Sequence, residues 1–420
     1  MLTYSEFTKK NCKTLERIHK DYTKWLNTYR VRFALDKYKL LHFTRSPKRF
    51  NMAAIPRIEG LQSQTKGSIR VLGIQIDTKL KWNPHIAKIH DRYASQSLAL
   101  GRITASTWGA SFERARLVYS AVVTPAIIYG AGIWYSPQGT ETARKSTGKQ
   151  LEILQNQGLR RILGAYKAVS SAVLEKEADI PPIEATLFKV VANSLKRRYQ
   201  TKGGQVVTKA CENIRNYNPS GTRAQRKRRK VSPHEAKTKW LRRNIPEDTW
   251  NREILQRPTT SNDTPNPTPW KEAIKTMTGT CWDKKWTAYL NAIPADRAKS
   301  PSQLDTGRKR SQLHKGLSKP MSSLITQIRT EKIGLNAFLA DRHVPGYTAT
   351  CPCGWPRQTA KHILMNCPDH EERRQSLFRA AGTRDYKEMT ATTRGMKAAA
   401  QWLQETGLLH QFSLGLSATS

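Results

Sequence analysis

Positive charge constrains this chain more than any other feature of its sequence. The 420 residues contain 72 Lys and Arg against 32 Asp and Glu, which gives a formal net charge of +40. Such an excess repels itself unless a polyanion neutralises it, so nucleic acid is the leading candidate partner. Ribosome-associated proteins and disordered basic tails share this balance, but here the basic residues are spread over predicted helices and loops.

The sequence argues against a membrane partner and against a disulfide scaffold. No apolar run approaches the roughly 18–20 residues that a membrane-spanning helix needs. The N-terminal residues 1–6 resemble neither a signal peptide nor a clear transit peptide. Only six cysteines occur, and three of them fall within 17 positions. This crowding predicts a metal site in a reducing, intracellular compartment.

Hydrophobic periodicity predicts a fold that is mainly α with a small β component, of the α+β class. An amphipathic helix is predicted over residues 5–29, where apolar side chains recur at helical spacing. Two β-like runs follow, at 37–43 and 69–77, the second rich in β-branched residues. A small sheet beside a helical bundle is therefore expected.

The remaining sequence is predicted to be helical on both sides of a basic, poorly ordered linker. Helices are expected over 84–103, over 111–134 with a kink at Pro125, over 150–163, and after Pro181-Pro182. Residues 201–270 are low in apolar content, which favours a flexible linker. Helical patterns return after Trp270. The predicted domains are 1–82, 83–200, 201–270 and 271–420.

A Cys-His cluster near the C-terminus carries the clearest chemical signal. Cys351, Cys353, His362 and Cys367 follow the spacing C-x-C-x8-H-x4-C, and Gly354 allows a tight turn. Three thiolates and one imidazole suit tetrahedral zinc, and four protein ligands leave no open position for a catalytic water, so the predicted zinc is structural. His370 is a spare donor that could replace a ligand. The alternative is a Cys-rich loop without metal.

Four segments together carry a family resemblance. They are Leu15-Glu16-Arg17-Ile18-His19 with the run 37–45, the run 71–77 with Trp82 to His85, the run 116–134 with Arg160-Arg161-Ile162-Leu163-Gly164, and the run 313–345 with the Cys-His cluster. In this order they resemble the reverse transcriptases of LINE-type, non-LTR retrotransposons, most closely the fungal Tad-like kind. They are similar to a partial palm, the primer-grip hairpin, the thumb and connection helices, and the C-terminal zinc region.

One departure from the family concerns catalysis. In the family the palm segment follows a Tyr/Phe-Ala-Asp-Asp turn that holds two magnesium ions, whereas this sequence has no Asp-Asp pair. The resemblance implies that Mg²⁺ belongs to the complete parent enzyme, since two-metal phosphoryl transfer needs clustered carboxylates. We expect a truncated copy that does not polymerise DNA alone, unless an upstream polymerase portion acts in trans. Asp36 and Asp77 are interpreted as turn residues.

The resemblance and the charge pattern also nominate binding residues. Lys37 matches a palm lysine that assists pyrophosphate departure, although a surface lysine is the preferred interpretation without the carboxylates. Gly73 matches the primer-grip turn, where a missing side chain admits a nucleic-acid backbone, or it is a β-bulge glycine. Candidate phosphate contacts, with solvated surface as the alternative, are Arg160, Arg161, Arg197, Arg198, Arg226, Lys227, Arg228, Arg229 and Lys230.

The predicted function combines these observations. The chain is expected to be the C-terminal portion of a retrotransposon RNA-directed DNA polymerase that binds RNA, RNA–DNA hybrid or target DNA through phosphates. The run Arg226–Lys230 also resembles a nuclear localisation signal, which predicts a nuclear protein. The alternative function is a co-opted, zinc-containing protein that binds nucleic acid or a protein partner and has no polymerase role.

Overall fold

A computed structural model describes residues 2–3, 5, 7–34, 37–44, 47–59, 61, 65–137, 141–216, 233–256, 269–295, 299–304 and 310–413. The chain divides into two compact units, residues 1–92 and residues 93–420, and each is described by itself. Helices predominate, and the described residues form a single two-stranded antiparallel sheet. The predicted fold class is therefore confirmed.

The first unit contains one long helix, one hairpin and the start of a second helix. Helix α1 spans Thr8–Thr28, strand β1 spans Ser68–Val71, strand β2 spans Ile74–Asp77, and α2 spans Asn83–Ile103. The amphipathic helix predicted over 5–29 is thus present. Its aromatic side chains are largely exposed, however, and Cys12 and Leu26 are its buried residues.

The predicted strand at 37–43 is wrong within the described residues 37–44. Only an isolated bridge between Leu40 and Thr65 forms there. The side chains instead make local contacts: the Tyr38 hydroxyl lies 2.7 Å from His19 Nε2, and His42 Nε2 lies 2.7 Å from the carbonyl oxygen of Ala54. A strand needs a neighbour along its length to pair its backbone groups, and the described part of this unit provides that neighbour at one position.

The second predicted strand, 69–77, is a hairpin rather than one continuous strand. Strands β1 and β2 pair with Ser68 opposite Asp77, and the two-residue turn has positive φ at Leu72 (46°) and Gly73 (84°). Two consecutive positive φ values are typical of a type I′ turn, for which glycine is well suited. The structure thus confirms a turn at Gly73. The positive φ of this residue explains why glycine occupies the position.

Asp77 is a turn residue, as predicted. Its carboxylate accepts backbone N–H groups from Lys79, Lys81 and Trp82 at 3.0, 3.1 and 2.7 Å. These bonds close the connection from β2 to α2, so the carboxylate is committed to the backbone. Asp36 lies outside the described residues.

All regular secondary structure in the described part of the second unit is helical. Its first helices are α3 (Phe112–Val118), α4 (Thr124–Ile127), α5 (Ala131–Trp134), α6 (Glu141–Leu163), α7 (Ser171–Ala178), α8 (Ile183–Gln200), α9 (Lys202–Asn216), α10 (Pro233–Asn244), α11 (Glu247–Glu253) and α12 (Trp270–Asn291). Its later helices are α13 (Pro301–Leu304), α14 (Lys319–Thr330), α15 (Asn336–Asp341), α16 (Ala360–Met365), α17 (Glu371–Ala381), α18 (Tyr386–Ala391), α19 (Thr393–Glu405) and α20 (His410–Ser413).

The helix predicted over 111–134 is broken into shorter pieces. A π-helical turn at Tyr119–Val123 ends two positions before Pro125, and the N–H of Thr124 donates to the carbonyl of Tyr119. Proline has no N–H to donate to the carbonyl four residues earlier. Helices therefore often change near a proline to π-helical hydrogen bonds, which span five residues. A second break lies at Gly130, where φ is 68°.

The described parts of residues 201–270 are helical, which differs from the expectation of an irregular linker. Trp240 and Trp250 are buried there, on α10 and α11. Lys237 is also buried, and its ammonium donates to the carbonyls of Gly132 and Ile133, both at 2.9 Å. These large side chains bury enough area to order segments whose average composition is polar. The basic run 226–230 lies outside the described residues.

The C-terminal helices surround a continuous apolar core. Helix α14 is buried over most of its length and packs against α19, which also contacts α17 and α18. Pro320 lies in the first turn of α14, as its sequence position predicted. No helix in the described ranges is both long and apolar enough to cross a bilayer.

A buried ionic cluster connects α7 to the C-terminal helices. Glu177 on α7 is fully buried and accepts two hydrogen bonds from Arg329 on α14, at 2.9 and 3.0 Å. Arg310 lies 3.3 Å from the same carboxylate. Burial alone would raise the pKa of Glu177, but Arg329 and Arg310 lower it to about 2. The carboxylate is therefore ionised and paired inside the protein.

Candidate metal centre

Four sequence-predicted ligands meet in the C-terminal part of the second unit. The ligand atoms of Cys351, Cys353, His362 and Cys367 all lie within 4.8 Å of one another. The sulfur atoms of Cys351 and Cys367 are 3.8 Å apart, and Cys353 Sγ lies 3.3 Å from His362 Nε2. In the described residues this is the one group of Cys, His, Asp or Glu side chains with such an arrangement.

A tight turn positions the first two cysteines. The N–H of Gly354 donates to the carbonyl of Cys351, and the N–H of Cys351 donates to the carbonyl of Trp355, both at 2.9 Å. Gly354 has a φ of 84°, a conformation that L side chains rarely adopt. The spacing Cys-x-Cys-Gly is thus explained: glycine reverses the chain so that both sulfur atoms face the same point.

Helix α16 positions the other two ligands. The Thr359 hydroxyl accepts the N–H of His362 at 3.1 Å and caps the helix. At its other end, the carbonyl of His362 accepts the N–H of Cys367 at 2.9 Å. The Trp355 ring stacks on the His362 imidazole, with centroids 5.6 Å apart and planes 7° apart. The backbone hydrogen bond therefore holds Cys367, which follows the helix, next to the turn that carries His362.

The surrounding protein fixes the cluster from two further sides. Gln358 donates its N–H to the carbonyl of Ala349 and accepts the N–H of Asn336 through its side-chain oxygen, at 2.8 and 2.9 Å. The buried Arg374 donates to the carbonyl of Cys367. Cys351 and Cys367 are themselves part of the apolar core. The cluster thus rests on a rigid support.

The geometry fits a tetrahedral metal ion. With Zn–S bonds of about 2.3 Å, two sulfur ligands of a tetrahedral site lie about 3.8 Å apart, which agrees with the Cys351–Cys367 separation. Burial lowers the pKa of His362, so the neutral imidazole with a free lone pair is favoured. Burial also raises the pKa of Cys367 to about 12, so a metal would have to displace the thiol proton. The cluster could hold a metal, and its donor set is compatible with zinc.

His370 takes no part in this group. Its ring packs edge-to-face on Trp402, with centroids 5.6 Å apart, and its N–H donates to the carbonyl of Cys367 at 3.2 Å. The helical turn after Cys367 directs the imidazole toward α19. The spare-donor role suggested by the sequence therefore has no geometric support, since His370 lies outside the four grouped ligands.

The predicted helix arginines are mostly engaged within the protein. Arg160 donates to the carbonyl of Val169 at 3.1 Å, Arg161 donates to the carbonyl of Ser97, and Arg198 lies 3.1 Å from His234 Nδ1. Arg197 is exposed. Their roles in nucleic-acid binding stay predictions.

The structure describes the predicted residues Lys37 and Gly73 of the first unit, but not the basic run 226–230. Lys37 is exposed, and its backbone N–H donates to the carbonyl of Ala34. Gly73 lies in the hairpin turn beside the exposed Leu72. Residues 226–230 are not described by the structure. Trp355, Thr359 and Arg374 support the metal centre but were not predicted from the sequence, where only the Thr-x-x-His capping pattern signals part of this support.

Comparison with known proteins gives two matches, both in Drosophila melanogaster. The 115 kDa protein in type-1 retrotransposable element R1DM is 28% identical over 137 residues, which are 33% of this chain and 12% of that protein. The RNA-directed DNA polymerase from mobile element jockey is 21% identical over 214 residues, 51% of this chain and 22% of that protein. The chain thus matches well under two thirds of either relative.

Two other comparisons found nothing. No protein-family profile matches the sequence, and no solved structure matches it. The closer kinship with fungal Tad-like elements stays a prediction. The two retrotransposon matches agree with the resemblance found in the sequence. This chain is a relative of the reverse-transcriptase proteins of non-LTR retrotransposons.

Proposed function

We propose that this chain is a nucleic-acid-binding portion of a retrotransposon RNA-directed DNA polymerase. It binds RNA or RNA–DNA hybrid through phosphates, with little sequence preference, and contacts target DNA in the same way. The observation that carries the proposal is the net charge of +40. A polyanion is the partner that neutralises such a charge, and relatives from mobile elements make that polyanion nucleic acid.

Salt dependence tests the proposal directly. The purified chain should bind a fluorescein-labelled RNA–DNA hybrid in anisotropy titrations. Each neutralised phosphate contributes about 0.7 to 0.9 to the slope of log affinity against log salt, so several contacts give a steep loss between 50 and 200 mM salt. A flat response, or no binding at 50 mM salt, contradicts the proposal.

In this proposal the Cys-His cluster holds a structural zinc. Cys351, Cys353, His362 and Cys367 supply all four ligands, so the ion fixes the fold locally and activates no water. The buried core around α14 and α19 includes Cys351 and Cys367, so the zinc would fasten the turn at Gly354 to that core. Zinc content of the purified chain, measured by mass spectrometry, should be one ion per chain.

The proposal includes inactivity of the chain on its own. Magnesium belongs to the complete polymerase, because two-metal catalysis requires neighbouring carboxylates. The sequence has no Asp-Asp pair, and in the described residues Asp77 and Glu177 are committed to backbone N–H groups and to arginines. A primer-extension assay with the chain alone should show no incorporation. Clear incorporation contradicts this part, and activity restored by an added upstream polymerase portion would identify a partner in trans.

One observation favours a second candidate function. Residues 93–420 form a compact unit with its own apolar core and buried ionic cluster. Such a unit is suited to fold as an independent, zinc-containing protein that binds nucleic acid or a protein partner without any polymerase role. Size-exclusion chromatography of the whole chain separates the candidates: a monodisperse monomer supports the independent protein, and aggregation supports a portion that needs an upstream part.

We also propose that the chain acts in the nucleus. The basic run Arg226–Lys230 has the composition of a nuclear localisation signal. A fluorescent fusion of the chain should accumulate in nuclei, and alanine substitution of the five residues of that run should redistribute it. An unchanged distribution contradicts a role for the run.

A further inference from the structure

A cavity of about 450 Å³ lies beside the metal centre, in the second unit. Helix α16, which carries the ligand His362, contributes Lys361, Met365 and Asn366 to its wall. Residues at the start of α18, in α13 and at the end of α14 form the rest of the cavity wall. The cavity is thus built from the segment that the metal would fix and from helices packed around it.

Exposed basic side chains form the rim of this cavity. Lys299, Lys361, Arg384 and Lys387 all line it and are all exposed. They come from three separate segments of the chain, with Arg384 and Lys387 close together in one of them, so no single run in the sequence reveals the grouping. The fold therefore concentrates positive charge around one opening, which attracts a phosphate group.

The acidic residues of the cavity do not cancel this charge. Glu331 and Asp385 line the wall, but the four basic side chains of the rim outnumber them. Asp385 is also occupied locally, because its carboxylate accepts the N–H of Glu388 at 2.7 Å and caps α18. Arg329 reaches the floor as well, where Glu177 neutralises it.

The interior of the cavity differs from its rim. Pro301, Leu304 and Met365 give it apolar surface. A cationic rim and an apolar wall together suit a nucleotide.

We propose that this cavity binds one unpaired nucleotide of a single-stranded nucleic acid. The rim lysines and Arg384 hold the phosphates on either side, and the base enters against Pro301, Leu304 and Met365. A base can enter only when it is neither paired nor stacked in a duplex, so single strands are bound in preference to duplexes. This inference rests on the proposed nucleic-acid binding and assigns a site to it.

The test uses the whole chain and two matched triple variants. The cavity variant is Lys299→Ala, Lys361→Ala, Lys387→Ala. The control variant is Lys271→Ala, Lys284→Ala, Lys397→Ala, which removes three exposed lysines that do not line the cavity. Both variants lose the same charge, so long-range attraction changes equally. Circular dichroism confirms that both are folded.

Binding is measured by anisotropy with a fluorescein-labelled 12-nucleotide RNA of mixed sequence and with a blunt RNA duplex. The cavity variant should bind the single strand about tenfold more weakly than the control variant, and its salt slope should fall by about 2, at roughly 0.7 per lost phosphate contact. Affinity for the duplex should be equal in the two variants. The proposed site is wrong if the two variants bind the single strand with equal affinity. It is also wrong if the cavity variant loses as much affinity for the duplex as for the single strand.

As an independent readout, a 4-thiouridine-labelled strand should photocrosslink to peptides that contain Met365 or Tyr386. Crosslinks confined to other peptides would show that the strand binds elsewhere and contradict the site. Displacement of the strand by poly-glutamate, at equal charge concentration, would show that any polyanion binds there and would also contradict it.

The failure of this inference is distinguishable from failure of the proposed function. If the unmodified chain binds neither strand nor duplex at low salt, the proposed nucleic-acid binding fails. If it binds with a steep salt dependence while the two triple variants behave alike, binding stands and the cavity is not the site.

Discussion

The candidate metal centre and the buried ionic cluster, both in the second unit, are formed in opposite ways. The four candidate ligands fall within 17 consecutive positions, on one turn and one short helix. Glu177 and Arg329 are 152 positions apart and meet only because α7 and α14 pack together. The first site is formed by local chain geometry, and the second by the tertiary fold.

This difference determines what each site contributes. A metal ion would fix a segment whose local geometry already directs the ligands to one point. The ionic cluster links distant segments, but burying charges costs free energy that the pairing largely offsets. Loss of the metal should therefore act on residues 351–367, whereas loss of one charge in the cluster should act on the packing of the whole unit.

The largest effect is expected from Cys353→Ser. Removing one ligand should abolish stoichiometric zinc binding and lower the melting temperature, because a structural zinc contributes about 10 kcal/mol of folding free energy in small zinc-binding peptides. Zinc per chain by mass spectrometry and a thermal melt provide the measurement. Cys281→Ser, which lies outside the cluster, is the control and should keep one ion. A full zinc content in Cys353→Ser contradicts the ligand assignment.

Arg329→Met should give the next largest effect. The substitution removes both hydrogen bonds that Arg329 donates to the fully buried Glu177. Breaking a buried pair from one side costs about 3–5 kcal/mol. Urea denaturation should show this loss while the zinc content stays unchanged. The double variant Arg329→Met, Glu177→Gln should recover part of the stability; a double variant no more stable than the single one contradicts the pairing.

Acid should remove the contribution of Glu177. Its pKa is about 2 in the folded chain and about 4.5 in an unperturbed glutamate side chain, so the unfolded state binds a proton first as the pH falls. The stabilisation is present above pH 4.5 and is lost as the pH falls to 2, by about 3 kcal/mol at 1.36 kcal/mol per pKa unit. The difference in unfolding free energy between the unmodified chain and Glu177→Gln should shrink over this range. A constant difference contradicts the assigned ionisation.

The smallest effect is expected from His370→Ala. His370 packs edge-to-face on Trp402 outside the ligand group, so the variant should keep one zinc ion and lose about 1 kcal/mol of stability. A chelator competition assay compares its zinc affinity with that of the unmodified chain. Weaker zinc binding in His370→Ala, at unchanged fold, would show that this imidazole is a ligand.

Sequence patterns predicted those secondary-structure elements that depend on neighbouring residues. They did not predict elements that form only through pairing or packing with a distant segment. The helical spacing of 5–29 and the Pro320 signal gave helices where they were expected, because these signals depend on neighbouring residues. The run 37–43 has strand composition but is not a strand, since pairing depends on a second segment. The helices around Trp240 and Trp250 were missed because their order comes from burial against other helices, which a polar average conceals.

The sequence by itself determined the basic character of the protein, its mainly helical class and the four ligands of the candidate metal centre. Each follows from composition or from residues close together in the chain, where spacing alone fixes which side chains can meet. Only the tertiary structure decided that Glu177 is ionised inside the protein, that His370 turns away from the ligands, and that four separate basic residues share one cavity. Those features need contacts between distant segments, and sequence spacing carries no information about them.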